Sequence, residues 1–314
     1  MSAIADRLVM RGYRAGWFVA RVLPERTAHR VARGIGDRSY ARNGLSVRRL
    51  RANYARVRPE LGAGELEDLV HAGMRSHVRY WCDAFRLPTM DNDAIAARVR
   101  VEGDAAPRAQ LAAGRPVVAF LGHIGNWDIA GAWATFAMKP VTTVAERLKP
   151  EELFRDFLAF RESLGMTIFP LTSGEDVFAK LVDATEGPVI VPLLADRDLT
   201  RRGVVVQLCG HEASAAAGPA ALTLRTGAAL FPVSITYEPC AELPSGWRTV
   251  ITFHDRVAEP EVGTQEERVA AMTQACVDAL GRTIATHTED WHMFQKVFLD
   301  PGERPSGASA GSAQ

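Results

Sequence analysis

The sequence predicts an α/β protein in which a central, mostly parallel or mixed β-sheet is flanked by helices and preceded by a helical segment. Helix-type spacing of apolar residues dominates from Ala3 to about Leu87. Short apolar runs then alternate with helical stretches through the middle of the chain, as they do in proteins with parallel sheets. Two of these runs, 116–121 and 188–194, are apolar throughout, which is typical of strands covered on both faces.

The elements follow in chain order. Pro24 ends the first helix, because proline cannot continue one, and two further helices are predicted over 46–57 and 64–85. The candidate strands are 99–102, 116–121, 141–145, 167–171, 188–194, 203–208, 229–237 and 248–255, and the helices among them are 126–138, 150–164, 174–185 and 217–227. A last helix over 264–289 opens with Thr264 and Glu267, which form a capping-box pattern.

These elements divide the chain into three parts. Residues 1–90 are interpreted as a helical, basic, membrane-associating part. Residues 91–300 form the α/β core, and we expect the two to make one structural unit. Residues 301–314 are rich in Gly, Ser, Ala and Pro and are predicted to be a disordered tail.

The net charge of zero conceals an asymmetry. Residues 1–58 hold 14 Arg and three acidic residues, a formal charge of +11, which points to an anionic partner. In the first helix, one narrow ridge is formed by Arg7, Arg11, Arg14 and Arg21. The wide apolar arc beside that ridge is typical of a helix lying in a membrane surface, and the alternative is that this arc packs on the protein's own core. Nucleic acid is not expected as a partner, because no recognised binding motif accompanies the arginines.

Other classes of function are excluded by what the chain lacks. It has no apolar run of 18 or more residues and no signal-peptide pattern, so neither a membrane span nor secretion is expected. Its four cysteines are widely separated and read as free thiols in a reducing compartment. Neither cysteines nor histidines show metal-ligand spacing, so we predict no metal and no cofactor.

The strongest chemical signal follows the strand 116–121. His123 stands at the end of this strand, and Asp128 comes five positions later at the start of a helix. A continuous helix would place positions five apart about 140° from each other, so the two side chains can meet only if the chain bends, which Gly125 permits. We therefore predict that Asp128 reaches back to one imidazole nitrogen of His123, as an acid orienting a general base.

Two more strands end in charged residues. Glu146 follows the strand 141–145, and the cluster Asp196, Arg197 and Asp198 follows the strand 188–194. Because carboxyl ends of parallel strands share one edge of a sheet, these residues are expected beside His123. The alternative is a salt-bridge network that only supports the strand ends.

The pattern His, four residues, Asp resembles the signature of the bacterial lipid A-type (lauroyl/myristoyl) acyltransferase family. The aromatic segment 79–88, Arg161 within its helix, and the triplet 196–198 are similar to further motifs of that family, and the resemblance covers about 10–298. Residues 123–128, 195–199 and 290–295 are similar to the actinobacterial members that acylate phosphatidylinositol mannosides.

The resemblance implies transfer of a fatty acyl group from acyl-CoA to a mannose hydroxyl of a phosphatidylinositol mannoside. It implies a peripheral protein at the cytoplasmic face of the membrane. It also implies that the acceptor site is formed by Glu146, Arg161, Asp196, Arg197 and Asp198.

The residues that contact the oxyanion and the acyl-CoA donor are predicted from their positions in the chain. Amides near Gly125 and Asn126, at a helix start, are candidate oxyanion donors, with Arg161 as a second candidate. Arg201 and Arg202 lie in a loop and either meet the phosphates of CoA or are simply solvated. An acyl groove is expected along the helix that carries Trp127, Ile129, Trp133 and Phe136, unless these side chains are plain core.

Three alternatives remain open at this stage. The chain could acylate another glycolipid or a lysophospholipid, it could hydrolyse acyl-CoA as a thioesterase, or it could bind lipid without catalysis.

Overall fold

The computed structural model describes residues 3–147, 151–171, 176–198 and 203–300. In α1, the side chains of residues 3–11 and of residue 14 also lie outside the description. The predicted roles of Arg201 and Arg202, the predicted tail 301–314 and the side chains of Arg7, Arg11 and Arg14 therefore fall outside the described residues.

Four helices form the N-terminal part, one more than the three that the sequence predicts there, because Glu25–Ala41 is also helical. They are α1 (Ala3–Val22), α2 (Glu25–Ala41), α3 (Leu45–Val57) and α4 (Ala63–Arg86). Pro24 occupies the N-cap of α2, so it does separate the first two helices. A short 3₁₀ turn, Leu87–Thr89, leads from α4 into the rest of the chain.

The apolar arc of α1 is divided between the protein's own core and solvent. Trp17 packs on Phe85 and Phe157, with ring centroids 5.5 and 5.6 Å away. Phe18 and Val22, in contrast, are 68% and 63% exposed. The alternative that this arc packs on the protein's own core is therefore confirmed for one side of the helix, and the membrane-surface interpretation of its exposed side stays a prediction.

The centre of the molecule is a seven-stranded mixed sheet of order β1-β9-β8-β2-β5-β3-β4. Its strands are β1 (Val99–Glu102), β2 (Val117–Leu121), β3 (Val141–Glu146), β4 (Met166–Leu171), β5 (Ile190–Leu194), β8 (Ala229–Pro239) and β9 (Trp247–Phe253). The pairings are parallel except for that of β8 with β9. The predicted strand 203–208 exists as β6 (Val204–Leu208), but it pairs outside the sheet with β7 (His211–Ala215) in a hairpin that the sequence did not indicate.

Helices cover both faces of this sheet. They are α5 (Asn92–Ala97), α6 (Ala105–Ala112), α7 (Trp127–Ala137), α8 (Glu151–Ser163), α9 (Val177–Ala184), α10 (Gly218–Thr226) and α11 (Gln265–Thr286). Successive residues of β2 point to opposite faces, so Val118 and Phe120 join one buried apolar cluster while Val117 and Ala119 join the other. This double burial explains why the strand is apolar at every position.

The N-terminal helices are joined to the α/β core by buried hydrogen bonds. The Nδ2 of Asn53 in α3 donates to the carbonyls of Met293 and Gln295, at 2.8 and 2.9 Å. The hydroxyl of Tyr54 donates to the carbonyl of Trp291 at 3.0 Å. In the ranges that the structure describes, no helix is both long and apolar enough to cross a membrane, and the four cysteines are free.

Candidate active site

The bend after β2 depends on a glycine. Gly125 has a φ of 65°, a left-handed conformation that disfavours other residues. A Cβ atom at this position would lie 2.1 Å from the carbonyl oxygen of Ile235. Asn126 then caps α7, because its Oδ1 accepts a hydrogen bond from the Ile129 amide at 3.0 Å. The turn delivers Asp128 to the first turn of α7, where the sequence placed it.

The carboxylate that meets His123 is Asp196. Its Oδ1 lies 2.5 Å from the Nδ1 of His123, and its Oδ2 accepts the His123 amide at 2.8 Å. The indole Nε1 of Trp291 donates to the same Oδ2 at 2.9 Å. Burial disfavours the charged form of Asp196, but the charge of His123 and these hydrogen bonds outweigh burial, so the pKa of the carboxyl is below its usual value.

Strand register explains this pairing. Leu121 of β2 is the partner of Leu194 in the parallel strand β5. His123 and Asp196 each come two residues after these partners, so the two chains deliver them to the same point on the carboxyl edge of the sheet.

The prediction that Asp128 orients His123 is therefore wrong. Asp128 is 2% exposed, and its Oδ1 accepts the Nε of Arg161 at 2.7 Å while its Oδ2 accepts the hydroxyl of Tyr80 at 2.7 Å. The first turn of α7 directs the carboxylate toward α4 and α8, which carry these donors, and away from the imidazole. Asp128 thus connects α7 with α4 and α8 beside the site.

The two donors to Asp128 keep their ordinary protonation states. Burial opposes the charged form of Arg161, yet the charge of Asp128 and the hydrogen bonds to it outweigh burial and raise the pKa of Arg161 above the ordinary value. The pKa of the Tyr80 hydroxyl is raised well above its usual range, first by burial and then by the charge of Asp128. Arg161 therefore stays a cation and Tyr80 stays a neutral donor at physiological pH.

His123 lines a cavity of ≈ 480 Å³. The cavity extends between α7 and the sheet, past Ala119 and Val233, to Ile190 near the amino end of β5. Leu194 at the other end of β5 also lines it, so it follows the strand for about 13 Å at ~3.3 Å per residue. Its walls are mainly apolar. Trp127 and Trp133 line this cavity as expected, whereas Ile129 and Phe136 do not.

The predicted polar residues divide into two groups. Glu146, Arg161 and Arg197 line the cavity together with His123, and the guanidinium of Arg197 lies 3.3 Å from the carboxylate of Glu146. Asp198 does not line it. The Oδ2 of Asp198 instead accepts the amide of Gly203 at 2.9 Å, where the chain enters β6.

The two candidate oxyanion amides are not placed in this cavity. The amide of Gly125 donates to the carbonyl of Asp290 at 2.9 Å, so its assignment as an oxyanion donor is wrong. Asn126 is fully buried, and it is not among the residues that line the cavity.

Sequence reasoning missed two histidines of the cavity wall, His77 and His292. Burial lowers the pKa of His77 to about 4 and that of His292 well below its usual value, so both are neutral. The amide of His292 donates to the carbonyl of His123 at 2.7 Å, and its Nε2 lies 3.1 Å from the hydroxyl of Ser76. The sequence indicates the segment 290–295 only through its resemblance to actinobacterial members of the acyltransferase family. Among the described residues, no group of three His, Cys, Asp or Glu side chains could hold a metal ion.

The chain is similar over most of its length to known proteins. Residues 7–300 match the model of the family described as bacterial lipid A biosynthesis acyltransferase. The phosphatidylinositol mannoside acyltransferase of Mycolicibacterium smegmatis is 43% identical over 289 residues, which cover 92% of this chain and 90% of that protein. The protein of the same name from Mycobacterium tuberculosis (strain CDC 1551 / Oshkosh) is 41% identical over 294 residues, 91% of this chain and 87% of the relative. The chain belongs to the bacterial lipid A biosynthesis acyltransferase family.

Proposed function

We propose that this acyltransferase moves a fatty acyl group from acyl-CoA to a mannose hydroxyl of a phosphatidylinositol mannoside, with His123 as the general base. The acceptor is taken from the names of the relatives. The observation that carries the mechanism is the contact between His123 Nδ1 and Asp196, at the mouth of an apolar cavity.

The contact with Asp196 supports Nε2 as the reacting nitrogen of His123. Asp196 is an ionised acceptor, so Nδ1 carries the ring proton and donates it to Oδ1. The Nε2 atom then has a free lone pair, and the described part of the chain offers it no hydrogen-bond donor. An acceptor hydroxyl placed against Nε2 would be in position to lose its proton.

The reaction balances with these groups. The Nε2 of His123 takes the hydroxyl proton as the oxygen attacks the thioester carbonyl, and a tetrahedral oxyanion forms. Collapse of this intermediate breaks the C–S bond and releases the CoA thiolate, which accepts the proton from His123. A thiol with a free pKa of about 8.5 is a good leaving group, so activation of the alcohol is the harder part.

The cavity provides for both substrates. Its apolar depth between α7 and the sheet suits the hydrocarbon chain of the donor. At the strand ends, Glu146 supplies an acceptor and Arg197 a donor for sugar hydroxyls, and Arg161 of α8 supplies a further donor. The cavity itself therefore separates an apolar substrate part from a polar one.

Purified protein supplied with palmitoyl-CoA and a panel of acceptors tests the proposal. Mass spectrometry should find an acylated phosphatidylinositol mannoside, and CoA release should rise when this acceptor is added. Acylation of only another glycolipid or a lysophospholipid would overturn the acceptor assignment. CoA release that the acceptors do not change would indicate a thioesterase instead.

We further infer that the protein works as a peripheral protein on the cytoplasmic face of an anionic membrane. Five exposed apolar side chains support this: Phe18, Val19 and Val22 of α1, and Val31 and Ile35 of α2. Both helices belong to the part of the chain with a formal charge of +11. Apolar side chains among arginines are typical of a surface that enters the headgroup region of anionic lipid.

The triple substitution Phe18→Ser, Val22→Ser and Ile35→Ser should weaken binding to phosphatidylglycerol-containing vesicles at least about tenfold. Fully burying each of these side chains in lipid contributes about 1.5–3 kcal/mol, so even partial burial of all three exceeds the ~1.4 kcal/mol that corresponds to a factor of ten. Vesicle sedimentation measures the effect. The control is Val262→Ser, which removes an apolar side chain that is 83% exposed in another part of the surface. Equal sedimentation of the two variants would contradict the assignment of this surface.

A further inference from the structure

A second cavity of ≈ 320 Å³ lies between α2, α4 and the turn that joins β8 to β9. It shares no lining residue with the catalytic cavity. Its wall includes Arg33, Arg79, Glu289, Tyr237 and Trp247, and the proposed reaction uses none of them.

Among the described residues, two arginines of this cavity form no hydrogen bond or ion pair with a carboxylate. The guanidinium of Arg79 lies 3.7 Å from the ring centre of Trp247 and 4.7 Å from that of Tyr237. In the ranges that the structure covers, neither Arg79 nor Arg33 hydrogen-bonds or ion-pairs with a carboxylate. Arg75, which also lines the cavity, is by contrast held by Asp37, with 2.5 Å between Nε and Oδ1. Aromatic stacking fixes the Arg79 guanidinium while its N–H groups keep their hydrogen-bonding capacity.

An acidic side chain of the same cavity wall, that of Glu289, also has its hydrogen-bonding capacity free within the described part of the chain. Among the described residues, no donor hydrogen-bonds to the carboxylate of Glu289. The neighbouring Asp290 is different, because its two oxygens accept the Ser76 hydroxyl at 2.7 Å and the Tyr237 amide at 2.8 Å. Glu289 and the two arginines therefore line one cavity without pairing with each other.

Unpaired groups of opposite charge around one cavity indicate which chemical groups its ligand carries. A guanidinium binds phosphate through parallel N–H···O bonds, and a carboxylate accepts hydrogen bonds from hydroxyls. We propose that this cavity is a second binding site, which takes a phosphorylated polyol: Arg33 and Arg79 bind the phosphate, and Glu289 binds hydroxyls. The ligand is either a soluble sugar or inositol phosphate or the phosphorylated polyol headgroup of a lipid.

The site borders the catalytic cavity through a polar partition. The hydroxyl of Ser76 contacts both Asp290 and His292. Asp290 lines the second cavity, and His292 lines the catalytic cavity. Close packing holds the two helices of the site together, since a Cβ on Gly36 of α2 would lie 3.1 Å from the Cα of Arg75 in α4. The arginines therefore project from a rigid pair of helices.

Isothermal titration calorimetry without acyl donor tests the proposal. The probe is myo-inositol 1-phosphate, compared with inorganic phosphate and with myo-inositol, which each carry half of the recognised chemistry. We expect saturable binding of the phosphorylated polyol, tighter than that of either half. Arg79→Gln and Arg33→Gln should each weaken it at least about tenfold, as expected for a lost charge-assisted contact. The matched control, Arg256→Gln, neutralises an exposed arginine outside both cavities and should leave binding unchanged.

Vesicles distinguish the source of the ligand. If the soluble probe does not bind, but vesicles of phosphatidylinositol in phosphatidylcholine lose affinity with Arg79→Gln and Arg33→Gln and not with Arg256→Gln, the ligand is a lipid headgroup. If the Arg79, Arg33 and Arg256 variants behave alike in both measurements, the site does not exist as proposed. His123→Ala should keep the binding of either ligand, so failure of the proposed reaction and failure of this site give separate results.

Discussion

Replacing His123 with alanine should lower kcat/KM for acyl transfer by about 10²–10⁴-fold, the range for loss of a general base. The acceptor hydroxyl would keep its proton, because the described residues place no second imidazole on Asp196 to take over. His77 and His292 also line the cavity, but in the part of the chain that the structure describes neither ring contacts a carboxylate, since His77 pairs with the indole of Trp81 and His292 with the hydroxyl of Ser76. Initial rates from palmitoyl-CoA measured against acceptor concentration give the effect.

The control for this substitution is His211→Ala. His211 is exposed on β7 and lies outside the catalytic cavity, so its removal should leave the rate within a factor of about two. Circular dichroism and thermal unfolding should show that the His123 variant remains folded. A folded His123→Ala protein with most of the original turnover would overturn the assignment of His123 as the base.

The second large effect is expected for Asp196→Asn, a change that preserves shape. The carboxylate accepts three donors: the Nδ1–H and the amide of His123, and the indole of Trp291. An asparagine has one oxygen for these three, and its NH₂ group must face at least one of them. The imidazole can become an acceptor at Nδ1 by carrying its proton on Nε2 instead, whereas a backbone amide and an indole cannot change from donor to acceptor.

The asparagine variant should therefore contain His123 with a protonated Nε2, the wrong tautomer for a base. We expect kcat to fall by about 10²–10⁴-fold with a smaller change in KM. Nitrogen-15 chemical shifts of the His123 ring would report the change of tautomer directly, which a merely structural defect would not produce.

Asp128→Asn provides the contrast between the two acidic residues. This change leaves the cation of Arg161 with a neutral partner, so we expect it to lower the free energy of unfolding by about 2 kcal/mol. Arg161 is 23% exposed, and for this reason the expected loss lies below that for a fully buried pair. Urea unfolding measures it. If Asp128→Asn abolishes turnover at full stability while Asp196→Asn is active, Asp128 orients the base and Asp196 does not.

Much of the framework of the site could be predicted from the sequence. The uninterrupted apolar run of β2 predicted a strand buried on both faces, and it predicted that His123 would stand at the strand's carboxyl end. Gly125 was correctly identified as the residue that allows the turn, and Glu146 and Asp196 were correctly expected at the same edge. These features are local, or follow from the common direction of parallel strands.

The partner of His123 could not be predicted in the same way. Asp128 and Asp196 are both carboxylates within reach in principle, and the choice between them depends on the pairing of Leu121 with Leu194 and on the direction in which α7 leaves the turn. Both are tertiary properties. The hairpin of β6 with β7 was missed for a related reason, since β7 has the mixed sequence His-Glu-Ala-Ser-Ala and gains its order from its neighbour.

Helix α3 connects the basic N-terminal helices with the candidate active site. Tyr54 holds the backbone of Trp291, and the indole of Trp291 holds Asp196. Two hydrogen bonds in series therefore connect α3 with the carboxylate that contacts the imidazole. We expect that deleting α1 to α4 would remove not only the proposed lipid contact but also a support for the orientation of His123.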